Sequence, residues 1–352
     1  MSGGIDSTAV CCMLLEQGYK VGGLTFVTCD SGVKAAEDAA ALAARLGIPH
    51  HVADVRAQFG KMVIDPFIES YLNGFTPNPC VNCNPGIKFA VLEEYADKLG
   101  YFHIATGHYV RVLCKEQEKC GGERKYYIAA GEDLRKDQSY FLWRLTQQQL
   151  SRVLFPLGGM DKRDVMAYLK SRGYSCVADG GESMEVCFIP GDYRDFLRKS
   201  VPGIDERYAG GSFVDSNGRV LGKHAGFPFY TVGQRKGLGI ALGYPAYVTK
   251  INAAKNTVML GHEEELFTSH MLVETPVWVD GVPDNLCVRV RYRSAPVPCE
   301  APREVGDGRW IVKLHDNVSA ITPGQSAVFY SGDMVVGGAF ISQQRGINQW
   351  IG

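Results

Sequence analysis

The first half of the chain alternates segments of helical periodicity with short apolar segments, and this alternation restricts the possible folds more than any other feature. Residues 7–17 predict a buried helix that ends at Gly18, and residues 21–27 predict the strand that follows. Residues 50–55 and 101–105 predict further strands. Helices between successive strands are typical of a parallel sheet, so we expect an α/β fold for this half.

Three more helices are predicted by apolar spacing and by the residues at their ends. One ends at Gly47, and one spans residues 87–99 with Gly100 as its stop. A third begins after Asp161, a typical N-cap residue, and ends at Gly173. The alternating pattern therefore continues well past residue 150.

After about Pro202 the sequence becomes rich in glycine, proline and short alternating segments, which is typical of β domains. Residues 286–293 alternate apolar with mostly basic side chains, as a strand with one buried face does. Further strands are predicted at residues 310–314, 326–330 and 334–341. We expect three domains: a catalytic α/β domain at 1–200, a small central β-rich domain at 201–264 and a C-terminal β domain at 265–352.

Charge and composition exclude several classes of protein. The chain has 352 residues with 37 Lys and Arg against 38 Asp and Glu, so no global positive charge draws it to nucleic acid. No apolar segment approaches the roughly 20 residues that span a bilayer, and no secretory signal is visible. We therefore expect a cytoplasmic protein without membrane attachment. Its 11 cysteines, at irregular spacings, fit reduced thiols better than a disulfide scaffold.

A glycine-rich segment, Ser2-Gly3-Gly4-Ile5-Asp6-Ser7, leads directly into the first predicted helix. Its glycines let backbone N–H groups approach an anion, and the N-terminus of the helix favours that negative charge. The segment is neither a Walker motif nor a Gly-x-Gly-x-x-Gly fingerprint. We interpret it as a phosphate-binding loop; the alternative is a glycine turn that Ser7 caps.

Two cysteine-bearing segments are candidates for chemistry. Cys80 and Cys83 precede the predicted helix at 87–99, and the dipole of that helix favours a thiolate at Cys83. The Cys-x-x-Cys spacing also suits half of a zinc site, but the chain offers no second half with good spacing. Cys187 follows a glycine-bearing loop, where it is either a reactive thiol or a buried strand residue.

Six segments taken together resemble one known family. They are the Ser-Gly-Gly-Ile-Asp-Ser loop, Thr-Pro-Asn-Pro-Cys-Val-Asn-Cys-Asn at 76–84, Ala-Thr-Gly-His-Tyr at 105–109, Lys-Asp-Gln-Ser-Tyr-Phe-Leu at 136–142, Val-Cys-Phe-Ile at 186–189 and Tyr-Thr-Val-Gly-Gln-Arg-Lys-Gly-Leu-Gly at 230–239. The loop alone resembles the signature of the ATP pyrophosphatases, and the six segments in this order resemble the tRNA-specific 2-thiouridylases. The resemblance covers nearly the whole chain. It implies a parallel-sheet ATP pyrophosphatase domain (adenine nucleotide alpha hydrolase-like), a small β-rich central domain and a C-terminal β-barrel-like domain.

In that family the loop follows a central parallel strand. This chain begins at Met1, directly before the loop. We therefore expect the natural chain to begin further upstream.

The resemblance implies a site for ATP and Mg²⁺. Its phosphate-binding residues are Met1, Ser2, Gly3, Gly4, Ile5, Asp6 and Ser7. Phe26 is implied on the adenine side and Gly107 as a further nucleotide contact, while Asp6 is implied to assist with magnesium.

The family converts uridine at the tRNA wobble position to 2-thiouridine: ATP adenylates the C2 oxygen, and sulfur from a cysteine persulfide replaces it. The resemblance assigns the persulfide to Cys187 and the second catalytic thiol to Cys83. Cys83 either attacks the persulfide to release sulfur or closes a disulfide with Cys187 after the transfer. A sulfur donor, either a cysteine desulfurase or a sulfur-relay protein, must then reload Cys187. Cys80 stands where some members carry Asp, and with Cys83 and Cys187 it makes three thiolates. An iron–sulfur cluster on these three is therefore the second mechanism, ranked below the persulfide.

The resemblance also implies three groups of tRNA contacts. Asn78, Pro79 and Cys80 are assigned to the target base, Lys136, Asp137 and Gln138 to the anticodon stem, and Arg291 and Tyr292 to RNA bound by the C-terminal domain. An arginine-bearing strand face suits phosphates, and an exposed tyrosine suits an unpaired base. The alternative is a solvated strand face with a core tyrosine.

Two other functions stay open at the level of sequence. The same ATP loop serves amidating synthetases, which need an ammonia source and have no use for paired cysteines. A non-catalytic RNA-binding protein is the second alternative, since a disabled nucleotide site would leave only the RNA contacts.

Overall fold

The computed structural model describes residues 1–30, 32–117, 123–174, 186–189, 191–344 and 346–350. The chain divides into two compact units. The first comprises residues 1–64, 79–188 and 333–336, and the second comprises residues 65–78, 189–332 and 337–352. Neither unit is a continuous segment, because the chain passes between them more than once.

Two pairs of parallel strands lie in the first unit. Gly23–Val27 pairs with His50–Asp54, and Ile104–Ala105 pairs with Val153–Leu154. Their parallel pairing confirms the predicted α/β class. The strand expected at 101–105 is present, but it is only two residues long.

Helices surround these strands in the first unit. Among the described residues, the α-helices are Ile5–Glu16, Gly32–Leu46, Arg56–Phe59, Pro79–Cys83, Ala90–Leu99, Gln147–Arg152 and Lys162–Ser171. There are also π-helical turns at Gly60–Ile64 and Asn84–Phe89 and a 3₁₀ turn at Ser139–Phe141. The prediction of one helix over residues 87–99 is therefore wrong at its start, because the α-helix begins at Ala90 and a π-helical turn precedes it. Pro85 lies in the π-helical turn and lacks the N–H that a regular helical ladder needs.

The helix Lys162–Ser171 matches its prediction closely. The carboxylate of Asp161 accepts a hydrogen bond from the backbone N–H of Arg163 at 2.8 Å, as an N-cap does. Val165 and Leu169 are fully buried in the same apolar cluster as residues of the first helix. The two helices thus share one core, which holds the start of the first helix in place.

A long antiparallel hairpin, which we did not predict, also belongs to the first unit. Val110–Gln117 pairs with Glu123–Ala130 over eight residue pairs. Val110, Ile128 and Ala129 are buried in it. The hairpin follows directly on Ala-Thr-Gly-His-Tyr and therefore helps to fix the position of that segment.

The second unit is built mainly from β-strands. Its helices are Asp65–Leu72, Tyr193–Ser200 and Ile204–Tyr208. One sheet contains, in spatial order, Val220–His224, Gly211–Val214, Thr257–Gly261 and Tyr247–Asn252. A second sheet contains, also in spatial order, Phe267–Glu274, Arg309–Ser319 and Arg303–Gly306. Cys287–Arg289 lies between Val297–Pro298 and Ser326–Ser331, and Val277–Trp278 pairs with Met334–Phe340. In the described part of the chain, no helix has the length and apolar character needed to cross a membrane.

The strand expected at 286–293 is shorter than predicted. Only Cys287–Arg289 is strand, although Leu286, Val288 and Val290 are buried as the alternation predicts. The chain turns at Arg291, whose backbone N–H donates to Ser294 Oγ while its carbonyl accepts from the N–H of Ser294. The two backbone groups are satisfied within this turn and not in a strand ladder.

The second unit holds the segment 65–78 through residues far along the chain. The backbone N–H of Thr76 donates to the carbonyl of Pro323 at 2.8 Å, and Gln325 Nε2 donates to the carbonyl of Thr76 at 2.9 Å. Gly324 has φ +92°, and a Cβ there would lie 2.9 Å from the Thr76 carbonyl oxygen. Only glycine fits both this conformation and this approach.

Candidate active site

The glycine-rich loop forms a compact turn at the start of the helix Ile5–Glu16. Gly3 has φ +73°, a conformation that favours glycine, and Gly4 is the N-cap. The Ser7 hydroxyl donates to the carbonyl of Gly4 at 3.1 Å and accepts from the backbone N–H of Ser2 at 3.2 Å. The loop is therefore closed on itself at the N-terminus of a helix of 12 residues, which is the geometry that attracts anions.

Asp6 lies in the first turn of that helix and is held from two directions. Tyr109 Oη donates to Asp6 Oδ1 at 2.7 Å, and Lys162 Nζ donates to the same oxygen at 2.7 Å. The Asp6 side chain is 37% exposed, whereas that of Lys162 is 11% exposed. Among the described residues, nothing donates to its second oxygen, Oδ2, which can therefore bind a ligand.

Gly107 packs directly against Asp6. A Cβ at position 107 would lie 2.7 Å from Asp6 Cβ, so no other residue fits there without displacing the carboxylate. A cavity of about 630 Å³ adjoins this contact and is also lined by Ser2, Ser7 and Phe26. With Met1 and Gly107, five residues expected at a nucleotide line one cavity, which has the volume typical of a small-molecule site.

Met1 lies beside the strand Gly23–Val27. Its amino group donates to the carbonyl of Leu24, and its carbonyl accepts from Thr25 Oγ1 at 2.6 Å. Burial lowers the pKa of this amino group. The residue before the loop is thus fixed by the edge of a strand.

The two candidate catalytic thiols come from different segments of the first unit. Cys83 is the last residue of the helix Pro79–Cys83 and is half-buried, whereas Cys187 lies in an exposed turn. Both are free thiols. The pKa of Cys83 is raised to about 12, chiefly by burial; the charge of Lys88 opposes the shift, and Cys187 contributes to it. Cys187 thus contributes to the electrostatic environment of Cys83 within the first unit.

Cys83 is the last residue of a short helix, and burial disfavours the thiolate that we expected there. Burial likewise raises the pKa of Cys80 and of Cys187, and the charge of Lys88 lowers both. Lys88, which we did not single out from the sequence, is thus the cation common to all three thiols.

His108, the neighbour of Gly107, is buried, and its ring contacts other side chains of the first unit. Its Nδ1 lies 2.7 Å from Thr106 Oγ1, and its ring stacks on Phe89 with 5.9 Å between centroids. Burial holds the pKa of His108 well below its usual value, so the ring is neutral at physiological pH. Neutral histidine in this position organises the segment that carries Gly107.

The described residues contain no group of three His, Cys, Asp or Glu side chains that could hold a metal ion. Cys80, Cys83 and Cys187 belong to these residues. In the described residues, these three thiols therefore do not form such a group.

The residues expected at the anticodon stem differ in their accessibility. Lys136 is half-buried, while Asp137 is buried and accepts from the backbone N–H of Ser139 at 3.0 Å. Gln138 forms hydrogen bonds with both backbone groups of Tyr109. Gln138 Oε1 accepts from the N–H of Tyr109 at 3.0 Å, and the backbone N–H of Gln138 donates to the carbonyl of Tyr109 at 3.2 Å. Asp137 and Gln138 thus have structural partners, which the sequence motif did not indicate.

The residues expected at the target base are largely enclosed by protein. Asn78 is 9% exposed and belongs to the second unit, and Pro79 begins the following helix as a buried residue. Cys80 is half-buried. Thr76, two residues before Asn78, is bonded to Pro323 and Gln325.

The residues expected on RNA in the C-terminal domain lie in the turn after Cys287–Arg289. Arg291 Nη2 donates to the carbonyls of Val232 and Ala320, each at 3.0 Å, and to Thr322 Oγ1. Tyr292 is half-buried, with the guanidinium of Arg293 6.0 Å from its ring centroid. Arg291 therefore links the glycine-rich turn at 230–239 to the segment between the strands Arg309–Ser319 and Ser326–Ser331.

Family models match nearly the whole chain and define its class. A tRNA methyl transferase HUP domain matches residues 1–191, a tRNA methyl transferase PRC-barrel domain matches residues 194–262, and an aminomethyltransferase beta-barrel domain matches residues 268–341. An α/β domain followed by two β domains is the fold class that the sequence predicts, and these matches confirm it.

Curated relatives then define the family. The chain is 52% identical to tRNA-specific 2-thiouridylase MnmA 3 of Phocaeicola vulgatus, over 99% of this chain and 95% of the relative. It is 54% identical to the protein of the same name from Bacteroides fragilis, over 99% and 94%. It is 43% identical to tRNA-specific 2-thiouridylase MnmA of Cytophaga hutchinsonii, over 97% and 95%. The chain belongs to the tRNA-specific 2-thiouridylase family, as the six segments predict.

Proposed function

We propose that this protein forms 2-thiouridine at the wobble position of tRNA, using ATP to activate the base and a cysteine persulfide to supply sulfur. The relatives are named for tRNA 2-thiolation, and they favour neither the amidating synthetase nor the non-catalytic RNA-binding protein. The observation that carries the proposal is the presence, in one unit, of a glycine-rich loop closed at a helix N-terminus and of two free thiols, Cys83 and Cys187, the second of which influences the pKa of the first. The HUP family model is named for methyl transfer, a reaction for which paired thiols have no use.

In the proposed first step, the C2 oxygen of uridine attacks the α-phosphorus of ATP, and pyrophosphate leaves. Residues 1–7 and Gly107 would bind the nucleotide, with Phe26 on the adenine side of the cavity. Asp6 suits Mg²⁺, because a partly exposed carboxylate with an unused oxygen is the donor that this cation prefers. Bound Mg²⁺ would neutralise charge on the phosphates.

In the proposed second step, the Cys83 thiolate attacks the inner sulfur of the Cys187 persulfide. A Cys83–Cys187 disulfide forms, and the outer sulfur leaves as sulfide, which displaces AMP from C2. A dithiol reductant must restore the two thiols, and a sulfur donor protein must reload Cys187. The proximity of Lys88 supports this assignment, since its positive charge favours the anionic sulfur species.

The tRNA contacts at residues 78–80, 136–138 and 291–292 stay proposals on the basis of the family resemblance. The bonds of Arg291 and Gln138 support an additional structural role for both. We also propose that the catalytic domain ends near residue 200, that the central domain ends near residue 264, and that the enzyme acts in the cytoplasm. An iron–sulfur mechanism stays second, because no observation in the described residues favours it.

The test is sulfur transfer in vitro with the full chain. Unmodified tRNA, ATP, Mg²⁺ and a ³⁵S-cysteine desulfurase system should yield labelled 2-thiouridine at the wobble position, seen by nucleoside mass spectrometry. Pyrophosphate should appear only when tRNA and ATP are both present. Incorporation of label from ammonia or from a methyl donor in place of sulfur would contradict the proposal, and so would tRNA binding without pyrophosphate release.

A further inference from the structure

Tyr109 is a polar side chain within an apolar core. It is 3% exposed and packs in the cluster that contains Ile5, Val10, Leu157 and Val165. A buried hydroxyl must have a hydrogen-bond partner, because leaving it unpaired costs about 1–3 kcal/mol. Its hydroxyl donates to Asp6 Oδ1 at 2.7 Å, so the core directs this donor at the phosphate loop.

The backbone of Tyr109 is fixed as tightly as its ring. Gln138 pairs with both its N–H and its carbonyl, at 3.0 and 3.2 Å. Gly131 lies against the same carbonyl, since a Cβ at position 131 would be only 2.6 Å from the Tyr109 oxygen. The backbone of Tyr109 therefore cannot shift without moving the 131–138 segment.

The Asp6 carboxylate is consequently asymmetric. Oδ1 accepts from Tyr109 and from Lys162, whereas Oδ2 receives no donor from the described residues. Two donors on one oxygen fix the plane of a carboxylate and leave the other oxygen to a ligand. Groups that hydrogen-bond a ligating side chain in this manner control its orientation, and their loss typically weakens metal binding about 10–100-fold.

We propose that Tyr109 is a positioning residue which, with Lys162, fixes Oδ1 of Asp6 so that Oδ2 binds the divalent cation of the nucleotide. This inference rests on the proposed function, which assigns the cation to Asp6. Tyr109 acts only through Asp6.

The test uses Tyr109→Phe, which keeps the ring in the core and removes the hydroxyl. Lys162→Met is less informative, because it removes a donor and a positive charge together. Mn²⁺ binding to the full chain with a non-hydrolysable ATP analogue is followed by electron paramagnetic resonance. We expect about tenfold weaker Mn²⁺ binding and nearly unchanged analogue binding without metal. The Mg²⁺ needed for half-maximal pyrophosphate release should rise similarly, while the maximal rate at saturating Mg²⁺ is retained.

Tyr168→Phe is the matched control. Tyr168 Oη donates to Glu16 Oε2 at 3.0 Å, so this change also removes a bond from a tyrosine to a carboxylate of the first helix, but at the far end of that helix. It should leave Mn²⁺ binding unchanged. Normal Mn²⁺ binding in Tyr109→Phe would overturn the positioning role, as would an equal loss of metal-free analogue binding.

Asp6→Asn separates the two levels of the proposal. Normal Mn²⁺ binding in Asp6→Asn contradicts the role given to Asp6 under the proposed function. Weak binding in Asp6→Asn together with normal binding in Tyr109→Phe contradicts the positioning role alone.

Discussion

Gly107→Ala probes the contact between the Ala-Thr-Gly-His-Tyr segment and the phosphate loop. The new Cβ would lie 2.7 Å from Asp6 Cβ and 3.1 Å from the Asp6 carbonyl carbon, whereas ordinary contact begins at 3.4 Å. Asp6 must therefore move by about 0.7 Å, the difference between the first and last of these distances. Displacements near 1 Å can lower catalytic rates about 100-fold, so we expect pyrophosphate release to fall about 10–100-fold.

Overpacking of this size also lowers the free energy of unfolding by about 1–3 kcal/mol, which thermal denaturation measures separately. Gly159→Ala is the matched control, because a Cβ there has no neighbour within 4 Å and the residue is exposed. Calorimetric titration with ATP and a pyrophosphate assay with tRNA should both report a loss in Gly107→Ala and none in Gly159→Ala. ATP binding and turnover at the wild-type level in a folded Gly107→Ala protein would refute the placement of this segment at the nucleotide.

Four further expectations address the thiols and the RNA contacts. Cys187→Ser and Cys83→Ser should each abolish thiolation, whereas Cys287→Ser should retain it; full activity in Cys187→Ser would exclude the persulfide. Because burial raises the pKa of Cys83 to about 12, its alkylation by iodoacetamide should accelerate continuously from pH 7 to beyond pH 10; a plateau near pH 8 would contradict this. Cys80→Asp should keep activity, and iron-dependent activity lost in this variant would favour the cluster. Arg291→Met should lower the free energy of unfolding by about 1–3 kcal/mol, because the oxygens of Val232, Ala320 and Thr322 lose their donor. The same change should reduce the slope of log tRNA affinity against log salt concentration by about one unit; an unchanged slope would place Arg291 away from RNA.

Local rules predict the elements of the first unit well. Asp161 is a capping side chain, and Gly47, Gly100 and Gly173 adopt the positive φ that a helix stop requires. These features depend on a few neighbouring residues, and for that reason they are visible in the sequence. The order of the motifs predicts the family, which the relatives confirm.

Features that depend on the tertiary environment could not be predicted in this way. A dipole argument favours ionisation of Cys83, yet burial in the folded protein raises the pKa of this thiol. The partnership of Asp6 with Tyr109 and Lys162 joins residues more than 100 positions apart. No periodicity or spacing contains such information, since the topology alone brings these side chains together.

The connection between Thr76 and residues 323–325 has a consequence for biosynthesis. Gln325 follows Thr76 by 249 residues, so on the ribosome the segment before Asn78 emerges long before its partners exist. Domains generally fold as they are synthesised, but this segment can reach its native contacts only when the C-terminal strands have left the exit tunnel. Asn78, the first of the residues proposed to meet the target base, thus follows a segment whose contacts form only after residue 325 has been synthesised.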